Sequence, residues 1–179
     1  MQLTGKQIVE ERIITGFSED AVQQQGIDLR LNKVRRFGSE ERKNWAFTEI
    51  GHIPATGKTQ LPQSSEVKPW NLDGKEIYVL DPGYYEVIFD EGCNMPNNRV
   101  MVFITRSSGV RCGVEIVCGQ FDAGFVTDHM GCFLKVHERT TIERHARIAQ
   151  TRITETAPVD VDDMYNGQWQ GDKQRTEQK

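Results

Sequence analysis

Ile77-Tyr78-Val79-Leu80-Asp81-Pro82-Gly83-Tyr84-Tyr85-Glu86-Val87-Ile88-Phe89 is the stretch on which the fold class turns. Two short runs rich in Val, Ile, Tyr and Phe flank an Asp-Pro-Gly turn. Such runs suit a pleated, half-buried surface, and the turn residues punctuate them too often for helices. The rhythm continues downstream. Met95-Pro96-Asn97-Asn98 breaks the chain, and residues 100–104, 114–117, 130–136 and 146–153 read as further strands. Short strands at regular spacing, separated by Gly, Pro and Asn, predict a mainly β protein, either a distorted antiparallel barrel or a double-sheet jelly roll.

Upstream the pattern differs. Residues 3–15 predict a short N-terminal amphipathic helix with apolar points at Leu3, Ile8 and Ile13-Ile14. Thr4 is a candidate N-cap with Gln7 three residues on, and Gly16 is the candidate stop. Residues 25–34 alternate as a strand, with Ile27, Leu29 and Leu31 on one face and Asp28, Arg30 and Asn32 on the other. Residues 38–75, with Pro54, Pro62 and Pro69, read as a long polar excursion with room for one strand. One domain is expected over residues 1–171, followed by a flexible polar tail over 172–179.

The chain has 179 residues, enough for one domain with a real core. A net charge of −4 with mixed signs argues against broad binding to polymeric nucleic acid, which needs a basic face. A local basic pocket remains compatible with it. No apolar run approaches a bilayer span and no secretion signal is read, so neither a membrane nor export is expected, and the cytoplasm is. Cys93, Cys112, Cys118 and Cys132 form no Cys-x-x-Cys pair, and with His129, His137 and His145 they match no zinc spacing. They are expected to be buried, reduced thiols. The His-x-Glu and Pro-Cys-x-x-Cys signature of zinc nucleobase deaminases is absent. Ala55-Thr56-Gly57-Lys58-Thr59 looks like a phosphate-binding loop, but Gly51 is one residue too far from Gly57 and no strand-to-helix context surrounds it.

Four polar motifs lie between the strands. The first is Gly26-Ile27-Asp28-Leu29-Arg30 and the second Arg106-Ser107-Ser108-Gly109-Val110-Arg111-Cys112-Gly113. The third is Phe121-Asp122-Ala123-Gly124-Phe125 and the fourth Ala146-Arg147-Ile148-Ala149-Gln150. In the second, two hydroxyls and free backbone N–H groups at a strand end can accept a phosphate, and Arg111 adds a forked, permanent cation. In the third, a partly desolvated Asp122 could orient a water for in-line attack, and Gly124 lets the backbone approach a ligand closely. In the fourth, Arg147 and Gln150 could extend towards phosphate oxygens. Taken singly, each has an ordinary reading: an N-cap serine with surface arginines, a hairpin turn, a solvated edge strand.

Together, in this order, the motifs resemble the dUTPase and dCTP deaminase superfamily, whose members act on pyrimidine deoxynucleoside triphosphates. The resemblance spans residues 106–150 and 26–31. It implies a dUTPase-like β-clip fold, a homotrimer with sites at subunit interfaces, and Mg²⁺ bound to the triphosphate and water rather than to protein ligands. It also implies roles. Asp122 would position the attacking water. Ser107, Ser108, Arg111 and Gln150 would contact phosphates, with Arg106 bracing the loop. Phe125 would stack on the deoxyribose beside Gly124, and the backbone of the hairpin after Asp122 would read the base. Asp28 and Arg30 would be supporting residues, and Tyr165 and Trp169 a C-terminal lid.

Four departures accompany the likeness. The glycine-rich C-terminal arm of dUTPases is replaced by Tyr165-Asn166-Gly167-Gln168-Trp169-Gln170-Gly171, closer to a deaminase tail. Arg106-Ser107-Ser108 with Arg111 is also closer to the deaminase pattern. Residues 130–136 contain no acid where a deaminase carries its glutamate; Cys132 or Val136 stands there, with Glu138 nearby. Residues 126–130 lack the usual hairpin glycine. The leading expectation is hydrolysis of dUTP to dUMP and pyrophosphate. The alternatives are dCTP deamination, alone or combined with hydrolysis, and a non-catalytic trimeric role in assembly or regulation, for example in a virion.

Overall fold

The computed structural model describes residues 1–37 and 51–172. Its helices are α1 (Gly5–Glu10) and α2 (Ser107–Arg111). Its strands are β1 (Ile14–Thr15), β2 (Val22–Gln23), β3 (Gly26–Phe37), β4 (Ser64–Glu66), β5 (Trp70–Leu72), β6 (Lys75–Leu80) and β7 (Gly83–Phe89). They continue as β8 (Gly92–Asn94), β9 (Arg99–Thr105), β10 (Val114–Val117), β11 (Val126–Thr127), β12 (Gly131–Val136), β13 (Thr140–Glu143) and β14 (Arg147–Glu155). All pairings among them are antiparallel.

The main sheet runs β10-β12-β7-β3-β14-β9, with β2 and β4 also pairing β3. Its two ends meet: the Ile116 N–H donates to Thr105 Oγ1 at 2.8 Å, drawing β10 against β9 and nearly closing a barrel. Closure hides the edges that an open sheet would present to other chains. Two three-stranded sheets, β1-β8-β11 and β13-β6-β5, complete the body. Asp81-Pro82-Gly83 is therefore a corner between sheets rather than a hairpin, because β6 and β7 pair with different partners.

The core explains the order. Ile27, Leu29, Leu31 and Val34 of β3 pack with Val87, Phe89, Met101, Leu134 and Ile153 from the surrounding strands, all essentially buried. Each such side chain contributes roughly 1.5–3 kcal/mol by leaving water. β3 is covered on both faces at its start: residues 26–29 are buried without alternation, Asp28 among them. The expected polar face of this strand is thus interior.

The N-terminal helix is shorter than expected. Thr4 does cap it, accepting from the Gln7 N–H while Gln7 Oε1 accepts from the Thr4 N–H, a reciprocal capping box. The stop is Arg12, not Gly16. Arg12 takes a left-handed φ of 55°, the Ile13 N–H reaches back to the Ile8 carbonyl at 3.2 Å, and the Arg12 N–H bonds Val9 at 3.1 Å. This is a Schellman closure, and Ile8 and Ile13 at its two ends are both buried in the core. Ile14, freed from the helix, pairs with Cys93 as β1.

Among its described residues, the 38–75 excursion holds two short strands, β4 and β5, where one was expected. Residues 38–50 lie outside the described residues, as does most of the expected C-terminal tail, 173–179. No helix among the described residues is long and apolar enough to cross a membrane.

Candidate functional site

The third motif is built onto the barrel by an aromatic ladder. Ring centroids step from Phe89 to Phe103 (5.5 Å), Phe103 to Phe121 (4.7 Å), Phe121 to Phe125 (5.3 Å) and Phe125 to Tyr165 (5.3 Å). Phe121 is further fixed by paired backbone bonds with Met101. Between the two Phe anchors the chain turns, with the Phe125 N–H donating to the Asp122 carbonyl at 3.1 Å and Gly124 at φ +85°. Only glycine adopts that conformation cheaply. The turn points Asp122 outward. Its carboxylate is exposed and accepts from Gln120 Nε2 at 2.7 Å.

Asp122 stands at the rim of a cavity of about 420 Å³, within the size range of small-ligand sites. Phe125, His129, Phe133 and Glu86 form its walls, and Tyr165 and Trp169 come in from the C-terminal segment. That segment is docked by the chain on itself. The Tyr165 N–H donates to the Ala123 carbonyl at 2.8 Å, and the Gln168 carboxamide pairs with both backbone groups of Thr59. Gln170 donates to the Gly124 carbonyl and accepts from the Val126 N–H, each at 2.9 Å. Below the hairpin, β8 approaches so closely that a Cβ at Gly92 would collide with the Thr127 carbonyl and lie 2.6 Å from that of Asp128.

The residues expected to contact phosphates lie elsewhere. Ser107, Ser108 and Arg111 sit exposed on α2, while Gly109 is buried against Thr105 and Val114. Ser108 and Arg147 border a second cleft of about 320 Å³ between α2 and the β13–β14 connection. Arg106 turns inward. Its Nε lies 3.1 Å from Asp28 Oδ2 in an ion pair without an aligned hydrogen bond, and its Nη1 donates to the Arg147 carbonyl at 3.0 Å. Asp28 is fully buried, and Gln150 Nε2 donates to its Oδ1 at 3.2 Å. Burial pushes the Asp28 carboxyl above its ordinary value, and Arg106 and Gln150 only partly offset that.

The chain alone thus gathers Asp122, Phe125, Tyr165 and Trp169 at one cavity, and places Ser107, Ser108 and Arg111 outside it. In the single chain, Gln150 Nε2 donates to the buried Asp28 carboxylate at 3.2 Å, Arg147 donates to the Asp20 carbonyl at 2.7 Å, and Asp122 is exposed. Arg30, the other supporting residue, grips buried Glu91 with Nε at 2.7 Å.

Among residues not singled out from sequence, Glu86 borders the cavity: it lies on β7 opposite Phe133, and its carboxylate is 3.5 Å from Arg35 Nε in an ion pair. The alternation Tyr85-Glu86-Val87 was a visible signal for its orientation, but the pairing that aims it at the cavity is long-range. Cys93 and Cys132 are buried as expected, while Cys112 is exposed at the end of α2. Burial pushes the Cys118 thiol up to about 11 and Cys132 well above its ordinary value, so neither is an activated nucleophile. Among the described residues no group of three or more His, Cys, Asp or Glu is arranged to hold a metal ion.

Residues 2–156 match a family model described as dCTP deaminase-like. The probable deoxyuridine 5'-triphosphate nucleotidohydrolase of Halobacterium salinarum is 29% identical over 160 residues, spanning 89% of this chain and 88% of that protein. The deoxyuridine 5'-triphosphate nucleotidohydrolase of Methanocaldococcus jannaschii is 30% identical over 154 residues, spanning 86% and 89%. The solved 2'-deoxycytidine 5'-triphosphate deaminase of Agrobacterium tumefaciens shares the fold, with a TM-score of 0.56 at 16% identity over 85% of this chain. This chain spans about half of that structure's length, 47%.

Proposed function

We propose that this chain, which belongs to the dCTP deaminase-like family, hydrolyses dUTP to dUMP and pyrophosphate. The observation that carries the reading is Asp122: an exposed carboxylate at the rim of a nucleoside-sized cavity, held on a rigid turn beside Phe125 and beneath Tyr165 and Trp169. Two archaeal relatives named for dUTP hydrolysis support it.

The base and sugar enter the cavity beside Phe125. Asp122 accepts a proton from a water, whose oxygen bonds the α-phosphorus as the bond to the β-phosphate's bridging oxygen breaks and pyrophosphate leaves. A positioned general base of this kind contributes roughly 10²–10⁴ in rate. Ser107, Ser108 and Arg111 bind the phosphate oxygens. Because these residues lie away from the cavity in one chain, the reading takes them from a neighbouring copy, in a homotrimer with shared sites. Mg²⁺ fits as a passenger on the triphosphate: Asp28 is closed off by Arg106 and Gln150, so phosphate oxygens and water would hold the ion, whose charge would offset that of the leaving pyrophosphate. The setting is the cytoplasm, where four cysteines without a disulfide remain reduced.

A second reading, deamination of dCTP, rests on Glu86, which borders the same cavity with its carboxylate 3.5 Å from Arg35 Nε. One assay separates the two. Purified protein is incubated with Mg²⁺ and either dUTP or dCTP, and pyrophosphate and ammonia are measured. Pyrophosphate from dUTP without ammonia from dCTP is the expected result. Ammonia release that disappears in Glu86→Gln would establish the second reading, and neither product would sink both.

A further inference from the structure

The backbone on either side of Phe125 offers one acceptor, the Gly124 carbonyl, and one donor, the Val126 N–H. A single carboxamide takes both: Gln170 Nε2 donates to Gly124 and Gln170 Oε1 accepts from Val126, each at 2.9 Å. The nitrogen and oxygen that make these bonds are attached to one carbon in one plane. A pyrimidine presents the same unit at C4. In uracil N3–H donates and O4 accepts; in cytosine the 4-amino group donates and N3 accepts. A glutamine side chain and a pyrimidine edge can therefore satisfy the same pair of groups.

The seat is built closely. Gly124 is bare, and a Cβ there would come within 2.7 Å of Met164 Cβ, so the tail lies directly on the hairpin backbone. Gly171, at φ +67°, turns the chain away immediately after Gln170. The segment lies beyond residues 2–156, which the family model matches. Gln168 makes a similar two-point clamp, but on Thr59, at a distance from this hairpin in the chain. Both glutamines fasten the tail, and Gln170 does so by occupying the hairpin's donor–acceptor pair.

We propose that Gln170 is an internal surrogate for a nucleobase edge, holding the Gly124–Val126 pair until a pyrimidine displaces it. The proposal rests on the pyrimidine-nucleotide reading above. Its consequence is competitive: the apparent dissociation constant for nucleotide is raised by the fraction of chains whose seat is taken.

The test titrates a non-hydrolysable α,β-imido analogue of dUTP, with Mg²⁺, into full-length wild type, Gln170→Ala, Gln170→Glu and Gln168→Ala, and follows amide exchange at Val126. Gln170→Glu keeps the side chain's length but lacks the donor. Both Gln170 variants are expected to bind the analogue about three- to tenfold more tightly than wild type, with pyrophosphate affinity unchanged. Without nucleotide, Val126 exchange should be slow in wild type and Gln168→Ala and fast in both Gln170 variants; the analogue should restore protection. Weaker binding by the Gln170 variants would make Gln170 a lid that touches the bound nucleotide and overturn the proposal. Equal binding by all four chains would also overturn it while leaving the nucleotide reading intact. If neither the dUTP nor the matching dCTP analogue binds any of the chains, the nucleotide reading falls and the proposal with it.

Discussion

Arg30 and Glu91 form an interior clamp: the guanidinium Nε lies 2.7 Å from one carboxylate oxygen while Arg30's own backbone N–H donates to the other at 2.8 Å. Glu91 is fully buried, and Arg30 also donates to the Gly16 carbonyl at 2.6 Å. One side chain thus ties β3, the β7–β8 turn and the segment after β1. Burial pushes the Glu91 carboxyl above its ordinary 4.5 despite Arg30's contacts.

Removing the Arg30 side chain would leave that buried carboxylate with backbone donors but without its guanidinium partner. Arg30→Met is expected to cost about 3–5 kcal/mol at pH 7 by urea unfolding. A folded-state value above the unfolded one means the carboxyl contributes most below the unfolded value and loses that contribution as pH rises through the folded value. Without Arg30 the gap widens, so the deficit should narrow as pH falls from 7 towards 4.5. A deficit that grows on acidification would contradict this account.

Asp122 makes its side-chain bond with Gln120 at an exposed rim. Asp122→Asn should therefore move stability by no more than about 0.5 kcal/mol. Pyrophosphate release from dUTP should fall by roughly 10²–10⁴. Calorimetry and a pyrophosphate assay on the same preparation test both halves.

Arg111 is exposed in the last turn of α2 and separate from the Asp122 cavity. Arg111→Ala should weaken triphosphate binding roughly 10- to 100-fold and leave deoxyuridine binding unchanged. Mixing unfolded Arg111→Ala and Asp122→Asn chains and refolding them together should restore activity that neither has alone, since sites combining one chain's Asp122 with another's Arg111 reappear. No restoration would place both groups in a single chain's site.

Arg12 holds a left-handed φ of 55° at the close of α1. Glycine meets that conformation without the Cβ penalty, so Arg12→Gly should stabilise the fold by about 0.5–1 kcal/mol. A urea midpoint that drops instead would mean the arginine side chain carries a compensating contact.

Much of the barrel was legible because β6, β7, β9, β10, β12 and β14 are each a short β-prone run bounded by Gly, Pro or Asn. β1, β8 and β11 were not, since strands of two or three residues exist only through partners such as Ile14 with Cys93 and Val126 with Asn94. The end of α1 is not legible because a charged residue holds a position that glycine usually advertises. At the site, the motifs located the groups but not their partners. Alternation placed Asp28 on a polar face, whereas Gln150, 122 residues away, and Arg106 turn that face inward. Glu86 went unnoticed for the same reason: only the register with Phe133 aims it at the cavity.

Gly92 acts as the shim under the hairpin. With two carbonyls resting where a side chain would begin, the smallest addition there becomes a wedge, tilting the Val126 rim relative to Asp122 while altering neither. Under the proposed nucleotide reading, selectivity between related substrates is then open to tuning from beneath the floor, and a search for altered-specificity variants confined to cavity-lining positions would pass over this lever.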